Sequence, residues 1–485
     1  MDKTKIGVTG RSGGGATSWW IGAIDDRVAA VCPVAGITDL QNHIVAGAPD
    51  GPHPHGVVEG HCDCMYINNT YRWDYPTVAA LVAPKPLLVE NTDKDPIFPE
   101  DGVRRIYEQL KKVYQWYDAS DRLGLVIGKG GHVDSEEIRH PSFAFFNKWL
   151  KGQEGPIEEP DRSFPREVLK VLALGEAPPD CQNGTIHERF VAKAEIPPVP
   201  ESAMAWEALK GRWMRELKEK VFAGWPAESA ATPPEPKVAV DVVREGVRLR
   251  GIDYQSQPGI ALRLWLFTAA GAEPLPRLDA LVLDQEAWDD WSKLISASTA
   301  EGGDPSQIDS FPGLKRSITT RGPAQALIVP RGIGPTAWPK AKDTHIRRRF
   351  ALLGQTLDAM RIWDVRRALA ALRTLPELRG ADLGLVGMRD AAAWTLWAAV
   401  FEPEVKRIVL NQPPMVIRSG PALLNLERIL EMPQAVALLY PRPVALRRTT
   451  ADAWKWSTDL GRALGMAQNW LQFLGEAGGD RPAHP

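Results

Sequence analysis

Ile6-Gly7-Val8-Thr9-Gly10-Arg11-Ser12-Gly13-Gly14-Gly15-Ala16, near the start of the chain, is the stretch on which the fold turns. An apolar run of strand type, Lys5 to Thr9, meets a serine flanked by glycines, and a helical pattern follows from Ala16 to Ile24. Gly10-Arg11-Ser12-Gly13-Gly14 fits G-x-S-x-G, the pattern in which a serine is held on a sharp strand-to-helix turn with its Oγ exposed. Such a turn is strained and lies close to the neighbouring strand and helix, so a side chain at Gly10 or Gly14 is expected to collide. The same letters can spell a glycine-rich phosphate loop or a plain tight turn. A strand before and a helix after favour the serine elbow.

Working outward, residues Lys5 to Lys151 alternate short apolar runs with helical patterns, the signature of a parallel sheet with crossover helices. Strands are expected at Val28 to Val34, Pro86 to Glu90 and Leu123 to Ile127, and helices at Asp101 to Tyr114 and Phe143 to Leu150. From Gly152 to about Pro236 proline-rich stretches surround one long helical segment, Ala203 to Val221, which reads as a connector. The alternation then returns. Strands are expected near Val247 to Tyr254, Ala261 to Phe267, Leu278 to Leu283 and Ala326 to Val329, helices from Arg348 to Leu372, and another strand-turn-helix from Leu383. The expected domains are therefore 1–151, 152–236 and 237–485.

The second series repeats the first. Ile6-Gly7-Val8-Thr9-Gly10-Arg11-Ser12 aligns without a gap on Leu383-Gly384-Leu385-Val386-Gly387-Met388-Arg389, and the register carries Trp20 onto Trp397 and Val28 onto Val405. Further on, Ala80 to Leu87 matches Ala437 to Val444. Two matches in the same order argue for two copies of one fold. In the second copy Arg389 stands at the serine position, Asp390 and Ala391 replace the glycines, and no late glycine-histidine pair follows. That copy reads as non-catalytic, though it has the earlier strands, including one before Pro330-Arg331-Gly332-Ile333-Gly334.

A serine of this kind needs a base and an acid to orient that base, and in this fold they follow in the order nucleophile, acid, base. Asn91-Thr92-Asp93-Lys94-Asp95-Pro96-Ile97-Phe98-Pro99 follows a strand and offers two carboxylates, Asp93 and Asp95. After the strand Leu123 to Ile127, the loop Gly128 to Gly131 delivers His132. Gly13 is expected to give a backbone N–H to the oxyanion.

Composition excludes several classes. With 58 basic and 60 acidic residues intermixed, a formal charge of −2 makes no field for a nucleic acid or an anionic membrane. No run of 18 apolar residues exists, and Met1 to Gly15 has no signal-peptide core. Four cysteines are too few for a disulfide framework. His61-Cys62-Asp63-Cys64 invites a metal reading, but its spacing is wrong for zinc and no second pair follows; a loop near the pocket, with His61, Asp63 and Arg11 as possible lining, is preferred. Eighteen tryptophans suit a core by default, and sugar-facing surfaces second.

Taken together, Lys5 to Trp20, Gly60 to Tyr75, Asn91 to Pro99 and Gly131-His132 resemble bacterial hydrolases of the acetyl xylan esterase-like or prolyl oligopeptidase-like kind, of dienelactone hydrolase type, over most of the chain. The resemblance implies tandem α/β-hydrolase folds, cleavage of a carbohydrate acetyl ester, a small ester or a peptide, no cofactor, and an often exported parent. It also singles out Asp95 as the acid, because these hydrolases commonly place it four residues before a proline, here Pro99. The implied triad is Ser12, Asp95 and His132, with Asp93 the alternative acid. One departure concerns what precedes the elbow: only eleven residues do, where the fold ordinarily has about a hundred. The expectation is a first copy that lacks its early strands and part of its oxyanion hole, with its elbow strand an open edge. A catalytically inactive binding or scaffold protein is the competing expectation. The substrate expected is a small-molecule or carbohydrate ester.

Overall fold

The computed structural model describes residues 2–59, 68–157, 165–170, 177–190, 192–227, 234–272, 274–320, 322–466 and 470–475. The chain forms two compact units, Met1–Ile186 with Lys342–Gly354, and His187–Ala341 with Gln355–Pro485. Of the proline-rich segment 152–236, the residues from His187 onward, including the helix Ala203–Glu216, belong to the second unit.

The first unit is built on a parallel sheet in the order β1 (Ile6–Arg11), β2 (Val28–Val34), β3 (Leu87–Thr92), β4 (Leu123–Gly128). Helix α1 (Gly13–Ile24) returns the chain from β1 to β2. Two short helices, α2 (Leu40–Ile44) and α3 (Tyr75–Ala80), precede β3, α4 (Glu100–Trp116) links β3 to β4, and α5 (Glu136–Phe146) follows β4. The apolar stripe of α4, Val103, Ile106, Leu110 and Tyr114, falls at helical spacing and is buried. Every residue of β3 is buried, whereas β1, at the sheet edge, alternates half-buried and exposed residues. Helix α5 begins at Glu136, not Phe143. Pro141 in its interior reads as a breaker, yet a proline there removes one helical hydrogen bond without ending the helix. A helix from far along the chain, Asp343–Leu352, completes this unit: Asn69 N–H donates to the Ala351 carbonyl at 2.9 Å, and Arg349 Nε to the Ile44 carbonyl at 3.0 Å.

The second unit holds one sheet in the order β5 (Lys237–Arg244), β6 (Val247–Gln257), β7 (Ile260–Ala269), β9 (Ala324–Ile328), β8 (Arg277–Val282), β10 (Asp382–Met388), β11 (Val405–Asn411), β12 (Val444–Arg447), β13 (Leu471–Leu474). Strands β5, β6, β7 and β9 pair antiparallel in turn, and every pair from β9 to β13 is parallel. Both units are α/β, as the alternation of strand and helix patterns implies. In the second, five strands precede β10, the strand that leads into the matching turn at Arg389. Its tryptophans follow the core reading: Trp206, Trp213, Trp394, Trp397, Trp454 and Trp470 are fully buried.

The repeat extends to backbone detail. Ser12 has φ 59° and ψ −118°, and Arg389 has φ 56° and ψ −125°. Ser12 N–H donates to the Val34 carbonyl and Arg389 N–H to the Asn411 carbonyl, both at 3.0 Å. The pairing of β1 with β2 skips after Ile6, and that of β10 with β11 skips at the aligned residue, Leu383. The peptides before Pro84 and Pro441 are both cis.

Candidate active site

Ser12 follows β1 directly and caps α1 in a left-handed backbone region that residues other than glycine avoid, at a strain of about 1–3 kcal/mol. Two glycines make room for that turn. A Cβ on Gly10 would lie 2.7–2.8 Å from the backbone of Gly14, and one on Gly15 would lie 2.4 Å from the Val34 carbonyl and 2.8 Å from Gly36 Cα. Gly14 does not meet the expected collision, since nothing lies within 4 Å of its would-be Cβ. The close approach of helix to strand falls one residue later, because the first residues of α1 still face outward before Gly15 turns onto β2. With Ser12 N–H spent on Val34, the next donor is Gly13, the first residue of the helix, where no preceding turn supplies an acceptor.

The acid loop sorts its two carboxylates clearly. Asp95, its side chain fully buried, accepts from His132 Nδ1 at 2.8 Å through Oδ2, while Oδ1 accepts from the N–H groups of Ile97 at 2.8 Å and Phe98 at 2.9 Å. Asp93 instead accepts from Lys129 Nζ at 2.8 Å and Gly130 N–H at 2.9 Å, bracing the loop that precedes His132. The Lys129 ammonium, with that N–H, holds the Asp93 carboxyl below the usual carboxylate range. Thr92 Oγ1 donates to the Gly131 carbonyl at 2.7 Å, a further tie between the two loops.

His132 therefore has one ring nitrogen fixed by Asp95 and the other, Nε2, directed elsewhere; the Phe98 ring packs 5.7 Å from the imidazole, centroid to centroid. The elbow and the histidine loop are joined by Arg11, whose Nη1 donates to the His132 carbonyl at 3.1 Å. Among the described residues no hydrogen bond joins Ser12 Oγ to His132. In the absence of substrate such bonds are commonly long, and they tighten in the substrate complex. His61, Cys62, Asp63 and Cys64 lie outside the described residues. Among the described residues, no cluster of His, Cys, Asp and Glu suits a metal ion, and no helix is long and apolar enough to cross a membrane.

Sequence reasoning missed Glu90. It lies in the middle of a buried strand, where its carboxylate accepts from Ser142 Oγ, and Ser142 Oγ also meets Cys32 Sγ at 3.2 Å. Burial pushes its carboxyl up to about 7, and Asp134 adds to the rise. A charged residue directly after the apolar run Leu87-Leu88-Val89, still within the strand pattern, is the available signal. A cavity of 340 Å³ lies around Leu123, Phe145 and Trp149, at the end of β4 opposite the one that leads to His132, and holds none of the triad candidates.

At the matching turn of the second unit the chemistry is different. Arg389 projects its guanidinium onto Asp284, with Nε–Oδ2 at 2.9 Å and Nη2–Oδ1 at 2.8 Å, and reaches Glu286 at 3.3 Å. Asp284 also caps the helix Gln285–Thr299 by accepting from Ala287 N–H. A bidentate ion pair thus occupies the place where the first unit presents a hydroxyl.

The two sheets, and the strand-turn-helix that recurs in both units with the same backbone conformation at Ser12 and Arg389, define an α/β fold. No family model matches the chain. Among curated proteins it is similar to "Putative hydrolase YtaP" of Bacillus subtilis (strain 168), with 29% identity over 147 residues, 30% of this chain and 46% of that protein. The chain thus spans less than half the length of the curated relative it matches. Solved structures with a looser likeness include a "putative acetyl xylan esterase" from Bacteroides fragilis, at 12% identity and TM-score 0.47 over 63% of this chain and 84% of that one. A glucuronoyl esterase from Solibacter usitatus matches at 13% identity and TM-score 0.42, over 60% of this chain and 94% of that one.

Proposed function

We propose that the first unit is a serine hydrolase that cleaves an ester, of an acetylated carbohydrate or a small molecule, or a peptide bond, through an acyl-enzyme on Ser12. The observation that carries this reading is the buried Asp95 carboxylate bonded to His132 Nδ1, in a loop that Arg11 ties to the strained strand-to-helix turn of Ser12. The curated relative, itself named a hydrolase, supports the same class.

In this mechanism Asp95 fixes the tautomer with hydrogen on Nδ1, so Nε2 carries the lone pair and takes the proton of Ser12 Oγ. Oγ bonds to the acyl carbon, and the carbonyl π bond opens onto the oxygen, which Gly13 N–H stabilises by about 3 kcal/mol, as one oxyanion donor typically does. The intermediate collapses as His132 passes its proton to the leaving oxygen or nitrogen. Water, deprotonated by the same imidazole, then releases the acid and restores Ser12.

For the second unit the Arg389–Asp284 pair favours a different role, that of a hydrolase-like domain without a nucleophile. A fluorophosphonate probe tests both readings on the full chain: it is expected to phosphonylate Ser12 alone, with the label lost in Ser12→Ala. Folded protein that takes no label would remove the hydrolase reading.

A further inference from the structure

The guanidinium of Arg11 stands between the two halves of the candidate site. Arg11 is the last residue of β1, directly before Ser12, and its side chain reaches the backbone carbonyl of His132. That contact uses one N–H of the five a guanidinium carries. Several other arginines of the same unit have their charge matched by a carboxylate, Arg27 by Asp25, Arg104 by Glu100, Arg105 by Asp39 and Asp101, and Arg139 by Asp134, whereas Arg122, like Arg11, donates to a backbone carbonyl, that of Pro84, and lies over the Trp149 ring. Arg11 is exposed and, among the described residues, has no carboxylate partner. The two nearby acids are committed elsewhere, Asp95 to His132 and the backbone of Ile97 and Phe98, Asp93 to Lys129 and Gly130.

We infer that Arg11 recognises a carboxylate carried by the substrate a few bonds from the scissile carbonyl, so that the site selects acidic esters over neutral ones. The inference rests on the serine-hydrolase reading and sharpens it. The His132 carbonyl holds the guanidinium of the residue next to the nucleophile against the backbone of the base itself, and the exposed Arg11 keeps its other donors for solvent. A planar fork of N–H groups suits a carboxylate in two-point contact, and a charge-assisted bond of that kind is stronger than a neutral one. A substrate anion held there would find the positive charge already in place and, among the described residues, no internal carboxylate to displace.

Two fluorophosphonates of equal length, one ending in a carboxylate and one in a carboxamide, test this on the full chain through their rates of labelling Ser12. The carboxylate probe is expected to react about tenfold faster at low salt, the factor one charge-assisted contact supplies, with the advantage shrinking as salt screens the charge. Arg11→Met slows both probes, because the histidine loop loses its tie, and brings their ratio to about one. Arg11→Lys keeps part of the preference, since it retains the charge without the fork. Equal rates in the unaltered protein, or a ratio unchanged in Arg11→Met, would overturn the inference while leaving the nucleophile in place. Failure of both probes to label folded protein would instead remove the hydrolase reading, and this inference with it.

Discussion

On the proposed mechanism, replacing Asp95 by Asn is expected to separate catalysis from folding at this site, because the two carboxylate oxygens do different jobs. Oδ1 accepts from the N–H groups of Ile97 and Phe98, and the amide oxygen of Asn can take over both bonds. Oδ2 faces His132 Nδ1 at 2.8 Å; an amide NH₂ placed there donates instead of accepting. The imidazole must then carry its hydrogen on Nε2, the nitrogen that should receive the serine proton. Loss of the correct tautomer lowers kcat by about 10⁴ in a serine triad, or roughly 5.4 kcal/mol of barrier. Folding stability changes by only about 1 kcal/mol, because the buried N–H groups keep their partners. Asp93→Asn is the matched control. Asp93 touches Lys129 and Gly130 and not the imidazole, so its loss loosens the loop and lowers turnover by less than about tenfold, in keeping with a weak, solvent-screened surface ion pair. The assay is steady-state hydrolysis of p-nitrophenyl acetate by both variants, with thermal unfolding recorded in parallel. Equal losses in the two variants, or a loss below tenfold for Asp95→Asn with the fold intact, would refute the reasoning.

Three further outcomes follow from particular contacts. Glu90 binds its proton more tightly folded than unfolded, its carboxyl raised by burial from 4.5 to about 7; its contribution to stability is complete below pH 4.5 and is lost as pH rises through 7, a decline of about 3 kcal/mol. Glu90→Gln should flatten that decline in urea unfolding compared between pH 4.5 and 8, and an unchanged pH dependence would count against it. Gly15→Ala should lower stability by about 1–3 kcal/mol through contact with Val34 and Gly36, whereas Gly14→Ala, with open space and a better helix former, should be neutral or slightly stabilising in thermal melts. Arg389→Ser restores a hydroxyl to the second elbow but no base to activate it, so fluorophosphonate labelling should stay confined to Ser12, as peptide mapping would read.

Much of this architecture is written locally. The strand at Val28 to Val34, the stripe of α4 and the elbow around Ser12 follow from side-chain periodicity and from glycine where the backbone turns through positive φ or approaches closely, properties a short window of sequence contains. The repeat is legible for the same reason, and Arg389 shares the backbone conformation of Ser12 because the surrounding strand and helix impose that turn whatever side chain sits on it. What separates Asp95 from Asp93 is not local. Both sit in one polar loop, and only the return of β4 alongside β3 puts His132 against one of them and Lys129 against the other. The burial of Glu90, the reach of Arg11 to His132 and the docking of Asp343–Leu352 beside Asn69 likewise join residues far apart in the chain. Sequence by itself set which segments become strands, helices and turns, since those choices are made within a few residues. Tertiary structure decided which charges meet and which are left without a partner, since a Coulomb or hydrogen-bond contact depends on distance in space, and the chain brings distant residues together only when the sheet has formed.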